Sequence, residues 1–394
     1  MNTYKRKFAL CLLLAALLGH AGVLSGEAPP HVQQPFSVSS DTTFRSDSEE
    51  YEYKSSVFRS QDLWTLVGIR AHGQLAGPQQ YHLWKVDTQG KKLRDIDLTT
   101  TEPLNRSQTT ENRVYGLVAL NNGKLGLLLG AGGGTVFFSI DAETREAVSA
   151  RRVKGLPNDL FVSKVIQGAD GGFFLVGRAD TRGLLAKLND NGELQASAFI
   201  ADPDLTVLTD GISLPDRGFI LLGEHLDDSG KTTTWLARVN EKGEVLIKTK
   251  FAGQSGAISC SSTGRCGIIY AVPGTNDWKV MVRALDDSLA TVWETEVQSG
   301  LRLNPQWRLM AGNNGTFVVA GGNAKHRLWV GALSKDGTIA SSRIFEEPSV
   351  QWQRLWNFDL LSAQQEFVIP LTQLIVGKEL DQRQVFKFLR VQQP

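Results

Sequence analysis

Five charged residues have the types that acid–base chemistry or polar-ligand binding requires, and each lies near a strand-like apolar segment. They are Arg113, Lys164, Asp210, Arg308 and Asp359. Carboxylates and cations that face each other in a partly buried opening could transfer protons or bind a polar group. The same mixture would equally line a water-filled channel. The sequence leaves both interpretations open.

Histidine and tryptophan provide a second set of candidates. His225 and His326, like His72, follow apolar strands and are predicted to lie in loops on one face of the molecule. Trp307 and Trp352 precede or open predicted strands, where exposed indoles could stack on sugar rings or anchor a protein partner. Polar loops and core tryptophans need no such role, so a purely structural interpretation also stands.

Known enzyme signatures fail in their structural context. Gly130–Gly134 imitates a dinucleotide-binding loop, but strands flank it on both sides where the phosphate needs a helix N-terminus. The chain contains neither an H-E-x-x-H motif nor a D-x-D-x-D-G calcium loop. We therefore predict no catalytic residue, no metal site and no cofactor.

Two cysteines, Cys260 and Cys266, flank a Ser-Ser-Thr-Gly turn with apolar residues on both sides. This spacing predicts a disulfide across a hairpin in an oxidising compartment. A redox-active pair typically uses a tighter C-x-x-C at a helix start.

Internal repetition indicates the elements that must position these residues. Polar turns with an aliphatic second residue recur, as in KLNDNG (Lys187–Gly192) and RVNEKG (Arg238–Gly243), and each follows an apolar segment. Upstream of each turn lies a second apolar strand, as in DGGFFLVG (Asp170–Gly177). The ends of five of these strands are spaced by 47, 46, 48 and 50 residues, which suits one four-stranded antiparallel sheet per repeat.

Segments such as Phe173–Val176 and Ile220–Leu222 are apolar on both faces. A strand of this kind is typical of a blade packed between two neighbours, so we predict an all-β, seven-bladed β-propeller of four-stranded antiparallel blades. A β-sandwich or two stacked barrels is the alternative. The last repeat lacks a fourth strand, and Pro35–Arg45 contains β-prone residues. We predict that this N-terminal strand closes the ring and removes two exposed edges.

The repeat pattern resembles that of secreted bacterial seven-bladed β-propellers over nearly the whole chain after residue 21, and the resemblance implies architecture only. Two turns, Ser139–Thr144 and Ala284–Leu289 with Trp293, also resemble quinoprotein blades. Arg145 stands at the glycine position of that motif, which argues against a bound quinone.

The N-terminus predicts export. Lys5, Arg6 and Lys7 precede an apolar run of 11 residues, and Gly19 and Ala21 suit signal-peptidase cleavage. We predict a signal peptide over 1–21, a linker with the ring-closing strand over 22–50, and the propeller over 51–394. The formal charge of +1 becomes about −2 once the three leader cations are removed, so neither nucleic acid nor anionic lipid is an expected partner. No membrane span is predicted after the leader.

These observations favour a periplasmic or secreted binding or scaffolding module, monomeric as a domain, with a protein or polysaccharide partner. The alternative is an enzyme with its site at the channel mouth, either a sugar-active lyase or hydrolase or a subunit of a redox complex. An enzyme should bring two charged mouth residues within hydrogen-bonding reach at the floor of a pocket. A scaffold should present a flat face with exposed aromatic residues.

Overall fold

The elements of this protein are β-strands. The computed structural model describes residues 36–72, 79–87, 89–98, 113–131, 134–144, 147–168, 172–227, 230–275, 277–301, 306–312, 314–323, 327–345, 352–363, 366–376 and 382–392, and no helix occurs within them. The predicted signal peptide lies outside the described residues.

The first three blades are four-stranded antiparallel sheets in which the strands pair in chain order. Blade 1 contains β2 (Glu49–Arg59), β3 (Asp62–Ala71), β4 (Gln80–Val86) and β5 (Lys92–Asp97). Blade 2 contains β6 (Arg113–Ala119), β7 (Leu125–Ala131), β8 (Gly134–Ile140) and β9 (Ala147–Arg152). Blade 3 contains β10 (Phe161–Gln167), β11 (Phe173–Ala179), β12 (Arg182–Leu188) and β13 (Leu194–Phe199).

The next three blades repeat this order. Blade 4 contains β14 (Val207–Ser213), β15 (Phe219–Leu226), β16 (Thr232–Val239) and β17 (Val245–Ala252). Blade 5 contains β18 (Gln254–Cys260), β19 (Cys266–Pro273), β20 (Trp278–Leu285) and β21 (Thr291–Leu301). Blade 6 contains β22 (Trp307–Ala311), β23 (Phe317–Gly322), β24 (Leu328–Leu333) and β25 (Ile339–Phe345).

Blade 7 joins the two ends of the chain. Its strands are β26 (Trp352–Phe358), β28 (Glu366–Val376), β29 (Gln382–Gln392) and the N-terminal β1 (Val38–Phe44), while the short β27 (Leu361–Ala363) also pairs with β28. β1 pairs antiparallel with β29, from Val38 opposite Val391 to Phe44 opposite Phe386. The prediction of a seven-bladed propeller closed by an N-terminal strand is confirmed. β2 begins at Glu49, two residues before the predicted start of the propeller.

The second strand of each blade lies between two apolar cores, as its composition predicts. In β11, Phe173 and Leu175 belong to the core shared with blade 2, whereas Phe174 and Val176 belong to the core shared with blade 4. Successive side chains of a strand point to opposite faces, so one apolar run contributes to both cores. Seven such clusters of described residues form, one at each interface between neighbouring blades.

The turns between third and fourth strands have the backbone conformation that their glycines indicate. Gly192 and Gly243 have φ values of 71° and 77°, in the left-handed region that favours glycine. In the first of these turns, Asn189 Oδ1 accepts hydrogen bonds from the backbone N–H groups of Asn191 and Glu193, both at 3.0 Å. The predicted disulfide is also confirmed, because Cys260 and Cys266 pair across the β18–β19 hairpin and are bonded.

Candidate binding site at the channel mouth

Four of the predicted charged residues occupy one equivalent position in the ring. In the backbone register of the first and second strands, Lys164 lies opposite Val176, Asp210 opposite Leu222 and Arg308 opposite Ala320. Asp359 is placed in the same way, because its N–H donates to the carbonyl oxygen of Pro370. Each partner is the third residue after a phenylalanine that opens the apolar run of the second strand. These residues therefore form a single layer around the channel, at equivalent positions in the innermost strands or, for Asp359, directly after one. We name the layer the channel belt, and it comprises Ser55, Gly116, Lys164, Asp210, Ala257, Arg308 and Asp359, one residue from each blade.

The belt charges pair between neighbouring blades. Lys164 Nζ lies 3.9 Å from Asp210 Oδ1 across blades 3 and 4, and Arg308 Nε lies 3.4 Å from Asp359 Oδ1 across blades 6 and 7. In the first pair the cation is much the more exposed partner, with 43% of the Lys164 side chain accessible to solvent against 8% for Asp210, whereas Arg308 and Asp359 are similarly exposed at 30% and 28%. Lys164, Arg308 and Asp359 are therefore the belt charges that an incoming ligand can reach.

The belt carboxylates also connect the blades through hydrogen bonds. Asp210 Oδ1 accepts from the N–H of Gly211, and Asp210 Oδ2 accepts from the N–H of Ile258 in blade 5 at 3.1 Å. Ser55 plays the same role between blades 1 and 2, where its Oγ accepts from the N–H of Leu117 at 3.0 Å. An innermost strand has a free edge, and these side chains satisfy part of it. Asp210 thus has a clear structural role, whatever it binds.

Asp359 occupies a more accessible setting. Its Oδ1 accepts from the N–H of Leu360, and its Oδ2 accepts from the hydroxyl of buried Tyr53 at 3.3 Å. Burial raises the pKa of Tyr53 well above its ordinary value, so this phenol stays protonated and remains a donor. The arrangement holds Asp359 beside Arg308 at the junction of blades 6, 7 and 1.

A cavity of about 220 Å³ opens beside Arg308, between blades 5 and 6. It is lined by Gln254, Ser255, Gly256, Ile269, Tyr270, Ala271, Gln306, Trp307 and Arg308. The cavity has a local cause. The six other innermost strands carry a register shift that inserts an extra residue, whereas β22 pairs with β23 without one. In blade 5 the inserted residue is Gly256, and a Cβ there would meet the backbone carbonyl oxygen of Ile269 on β19.

Trp307 lies at this cavity but is not an exposed stacking platform. Only 3% of the residue is accessible, and its ring meets that of Trp329 edge-on, with 6.1 Å between centroids. The exposure that stacking on a sugar ring requires is therefore absent at this residue. Trp352 opens β26, but its side chain lies outside the described part of the structure, as does the whole of His326.

The remaining predicted site residues do not join the belt. Arg113 opens β6 three residues before Gly116, and its guanidinium lies 3.6 Å from the centroid of the Phe161 ring. His225 lies in β15, where the adjacent Glu224 bonds to Ser255 of blade 5. Because side chains alternate along a strand, His225 faces the opposite way, towards blade 3.

The sequence interpretation missed a charged group on blade 1. Glu52 Oε1 lies 2.7 Å from Lys54 Nζ, and Glu52 also pairs with Arg70 and accepts a hydrogen bond from Gln79. Burial acts to raise the pKa of Glu52, but the Lys54 ammonium and the other donors outweigh it and hold that pKa below its ordinary value. The signal was the alternation of Glu50, Glu52 and Lys54 along β2, which places charges on one face of an innermost strand.

No protein-family model and no curated protein matches this sequence. Solved structures similar to it include Drosophila Plexin A in complex with Semaphorin 1b, at 10% identity and a TM-score of 0.54, with 91% of this chain and 88% of that chain covered. The Dos1 propeller is similar at 8% identity and a TM-score of 0.51, with 91% and 95% covered. The polysaccharide lyase Uly1 is similar at 11% identity and a TM-score of 0.51, with 90% and 99% covered. The likeness is one of fold.

In the part of the chain that the structure describes, no helix has the length and hydropathy needed to cross a membrane. Nor do three or more His, Cys, Asp or Glu side chains of the described residues come together as potential metal ligands.

Proposed function

We propose that this chain is an exported β-propeller that binds a protein or polysaccharide partner at the mouth of its central channel. The observation that carries the proposal is the position of Arg308, a partly exposed cation that lines an open cavity and is held by Asp359 of the next blade. A side chain fixed in this way is preorganised for binding, because little of its conformational freedom remains to be lost.

The solved structures with a similar fold support both classes of partner, protein and polysaccharide. Plexin A is found in complex with Semaphorin 1b, and Uly1 is a polysaccharide lyase. A fold that carries both protein binding and polysaccharide chemistry does not itself determine which class of partner a given propeller binds. The disulfide between Cys260 and Cys266 supports export, because such bonds persist in oxidising compartments.

An enzyme is the second candidate, and the 3.4 Å approach of Arg308 to Asp359 is the observation that favours it. Of these two residues, only Arg308 lines the cavity. A binding role therefore accounts for the geometry better.

The test is affinity capture from the envelope fraction with the mature protein as bait, followed by mass spectrometry. The bait variant Arg308→Gln/Asp359→Asn removes the belt charges of blades 6 and 7 while retaining side chains of similar size. The matched control Lys279→Gln/Glu296→Gln removes an exposed ion pair of 3.0 Å that joins β20 to β21.

We expect the unaltered protein and the control to capture the same stoichiometric partner, and the belt variant to lose it. Equal capture by the belt variant would contradict the proposed binding surface. Recovery of a co-purifying small molecule without any partner would instead favour the enzyme.

A further inference from the structure

Three arginines lie over aromatic rings at the end of blade 3 where β10 begins, which is the channel-mouth end. We name them the arginine row: Arg113, Arg178 and Arg182. The guanidinium carbon of Arg113 lies 3.6 Å from the centroid of the Phe161 ring, and that of Arg178 lies 5.7 Å from the same centroid. The guanidinium carbon of Arg182 lies 3.9 Å from the centroid of the Phe199 ring. A ring holds a guanidinium by its face and leaves the N–H groups at its edge available to an acceptor.

None of these three guanidiniums is neutralised by a residue that the structure describes. All three arginines are exposed, and within the described ranges their side chains neither form an ion pair nor donate a hydrogen bond. Two acids, Asp159 and Asp180, lie in the adjoining loops. Asp159 Oδ2 accepts from the backbone N–H of Asp180 at 2.5 Å, and neither carboxylate pairs with the arginine row. The row therefore presents positive charge that these acids do not compensate.

Blade 5 completes the same arrangement with a residue of its own. The guanidinium carbon of Arg283 lies 4.2 Å from the centroid of the Phe251 ring, and Arg283 Nε donates to Glu294 Oε2 at 2.7 Å. There the ring contacts the guanidinium and the carboxylate accepts from its edge. The arginine row has the rings without the carboxylate. A carboxylate is therefore the group that a ligand would supply.

The row crosses the blade from the channel towards its outer edge. Phe161 begins β10, Arg178 lies in β11 and Arg182 begins β12, while Phe199 ends β13. Neighbouring strands lie about 4.8 Å apart, so the four strands span roughly 14 Å. Lys164, an exposed cation of the channel belt, lies further along β10 and extends the positive charge to the channel. Cations spread over this distance favour a chain with repeated anionic groups over a single small anion.

The apolar surface near the row favours a polysaccharide over an acidic segment of a protein. Protein interfaces are centred on aromatic or other large anchors that become fully buried. The rings of Phe161 and Phe199 already lie against guanidiniums, and the other exposed large apolar residues that the structure describes all belong to other blades. A polar chain with carboxylates on its sugar rings needs no such anchor.

We propose that the arginine row binds an acidic polysaccharide through the carboxylates of its uronate residues. The proposal rests on the proposed function, since it specifies the polysaccharide class of partner at the same channel mouth. Each guanidinium can offer two parallel N–H groups to one carboxylate, a bidentate geometry that an ammonium group does not provide. Lys164 contributes as a point charge where the row meets the channel.

The test is isothermal titration calorimetry of the purified protein with short oligosaccharides. The acidic probes are oligogalacturonate and oligomannuronate. The neutral counterpart is methyl-esterified oligogalacturonate, which keeps the sugar chain and loses the negative charges. Oligoglutamate with the same number of carboxylates represents an acidic segment of a protein. The row variant, Arg113→Gln/Arg178→Gln/Arg182→Gln, removes the three cations and retains polar side chains.

The matched control is Lys85→Gln/Arg238→Gln/Lys279→Gln, which removes the same number of positive charges. Each of these cations pairs with a carboxylate outside the row, in blades 1, 4 and 5. The melting temperature of each variant shows whether it is folded. The comparison of acid with ester on the unaltered protein decides the question even if the row variant does not fold.

We expect at least one uronate oligosaccharide to bind the unaltered protein, with a Kd that rises roughly 10-fold or more in the row variant and less than about 3-fold in the control. The methyl ester should bind the unaltered protein as weakly as the acid binds the row variant. Equal affinity for acid and ester, equal loss in both variants, or no binding of either uronate would overturn the proposal. Tighter binding of oligoglutamate than of both uronates would also overturn it, in favour of an acidic protein segment. Partner capture by Arg308→Gln/Asp359→Asn is measured separately on a bait that retains the row, so the proposed function and this proposal can fail independently.

Discussion

Some carboxylates in this protein connect strands through their hydrogen bonds, and Asp202 is the clearest case outside the channel belt. Its Oδ2 accepts hydrogen bonds from the Trp235 indole N–H at 3.1 Å and from Lys248 Nζ at 3.0 Å. Its Oδ1 accepts from the N–H of Asp204 at 2.9 Å. Although burial acts to raise the pKa of Asp202, these donors outweigh it and lower that pKa below its ordinary value.

The lowered pKa of Asp202 predicts a loss of stability in acid. The ionised form is favoured by folding, so the stabilisation is complete above the unfolded-state pKa, near 4, and disappears as the pH falls below it towards the folded-state value. We expect the urea midpoint of the unaltered protein to fall between pH 5 and pH 3 by more than that of Asp202→Asn. Asp62→Asn, which removes an exposed carboxylate paired with Lys85, is the control. If Asp202→Asn keeps the full acid sensitivity, other carboxylates cause it.

At the level of elements, the contacts made by each residue of the repeated turn account for the residue types found there. The aliphatic second residue enters a core between blades, as Leu188 and Val239 do, while the third residue, Asn189 or Asn240, accepts backbone N–H groups of the turn. The last residue of the turn is glycine in blades 3 and 4, whereas in blade 5 it is Leu289, which has the same left-handed backbone conformation with a φ of 63°. Its side chain is buried in the core between blades 4 and 5, which offsets the conformational cost.

The disulfide of blade 5 links two strands that already pair with each other. Cross-linking so short a loop stabilises the fold by about 2 kcal/mol in the chain-entropy model. We expect Cys260→Ser/Cys266→Ser to lower the free energy of unfolding by about that amount in urea titrations under oxidising conditions. Under reducing conditions, the variant and the unaltered protein should have nearly the same unfolding midpoint. A difference that persists after reduction would mean that the serines disturb packing and that the covalent link is not the cause.

The sequence predicted the blades, and its charged candidates include four of the seven belt residues, but it did not predict the cavity. A strand buried on both faces has a composition of its own, so runs such as Phe173–Val176 and Ile220–Leu222 indicate position as well as type. Lys164 and Asp210 were identified because they lie in the strand that precedes such a run. The pairing of belt charges and the burial of Trp307 depend on where each innermost strand inserts an extra residue. Periodicity alone does not reveal that insertion.

At the scale of the whole molecule, the ring is held by seven similar interfaces, and the interface between blades 7 and 1 includes the N-terminal strand. Phe44 of β1 packs against this core and stacks on Phe386 with 5.5 Å between ring centroids. At the other end of β1, the fully buried Phe36 belongs to the core between blades 6 and 7, and its carbonyl oxygen accepts from Arg343 Nη1 at 2.8 Å. The segment thus contributes to two of the seven cores.

Removal of residues 22–46, in a protein that also lacks the predicted signal peptide, tests this closure. Burial of one phenylalanine side chain stabilises a fold by about 1.5–3 kcal/mol, so the loss of Phe36 and Phe44 should lower the melting temperature by on the order of 10 °C. The deletion also exposes the edge of β29, so we expect aggregation at concentrations at which the unaltered protein stays dispersed. The matched control removes only residues 22–34 and keeps β1 with Phe36. Equal melting temperatures for the two deletions would show that the ring closes without β1, whereas recovery on addition of a peptide covering residues 35–46 would demonstrate that this strand itself completes blade 7.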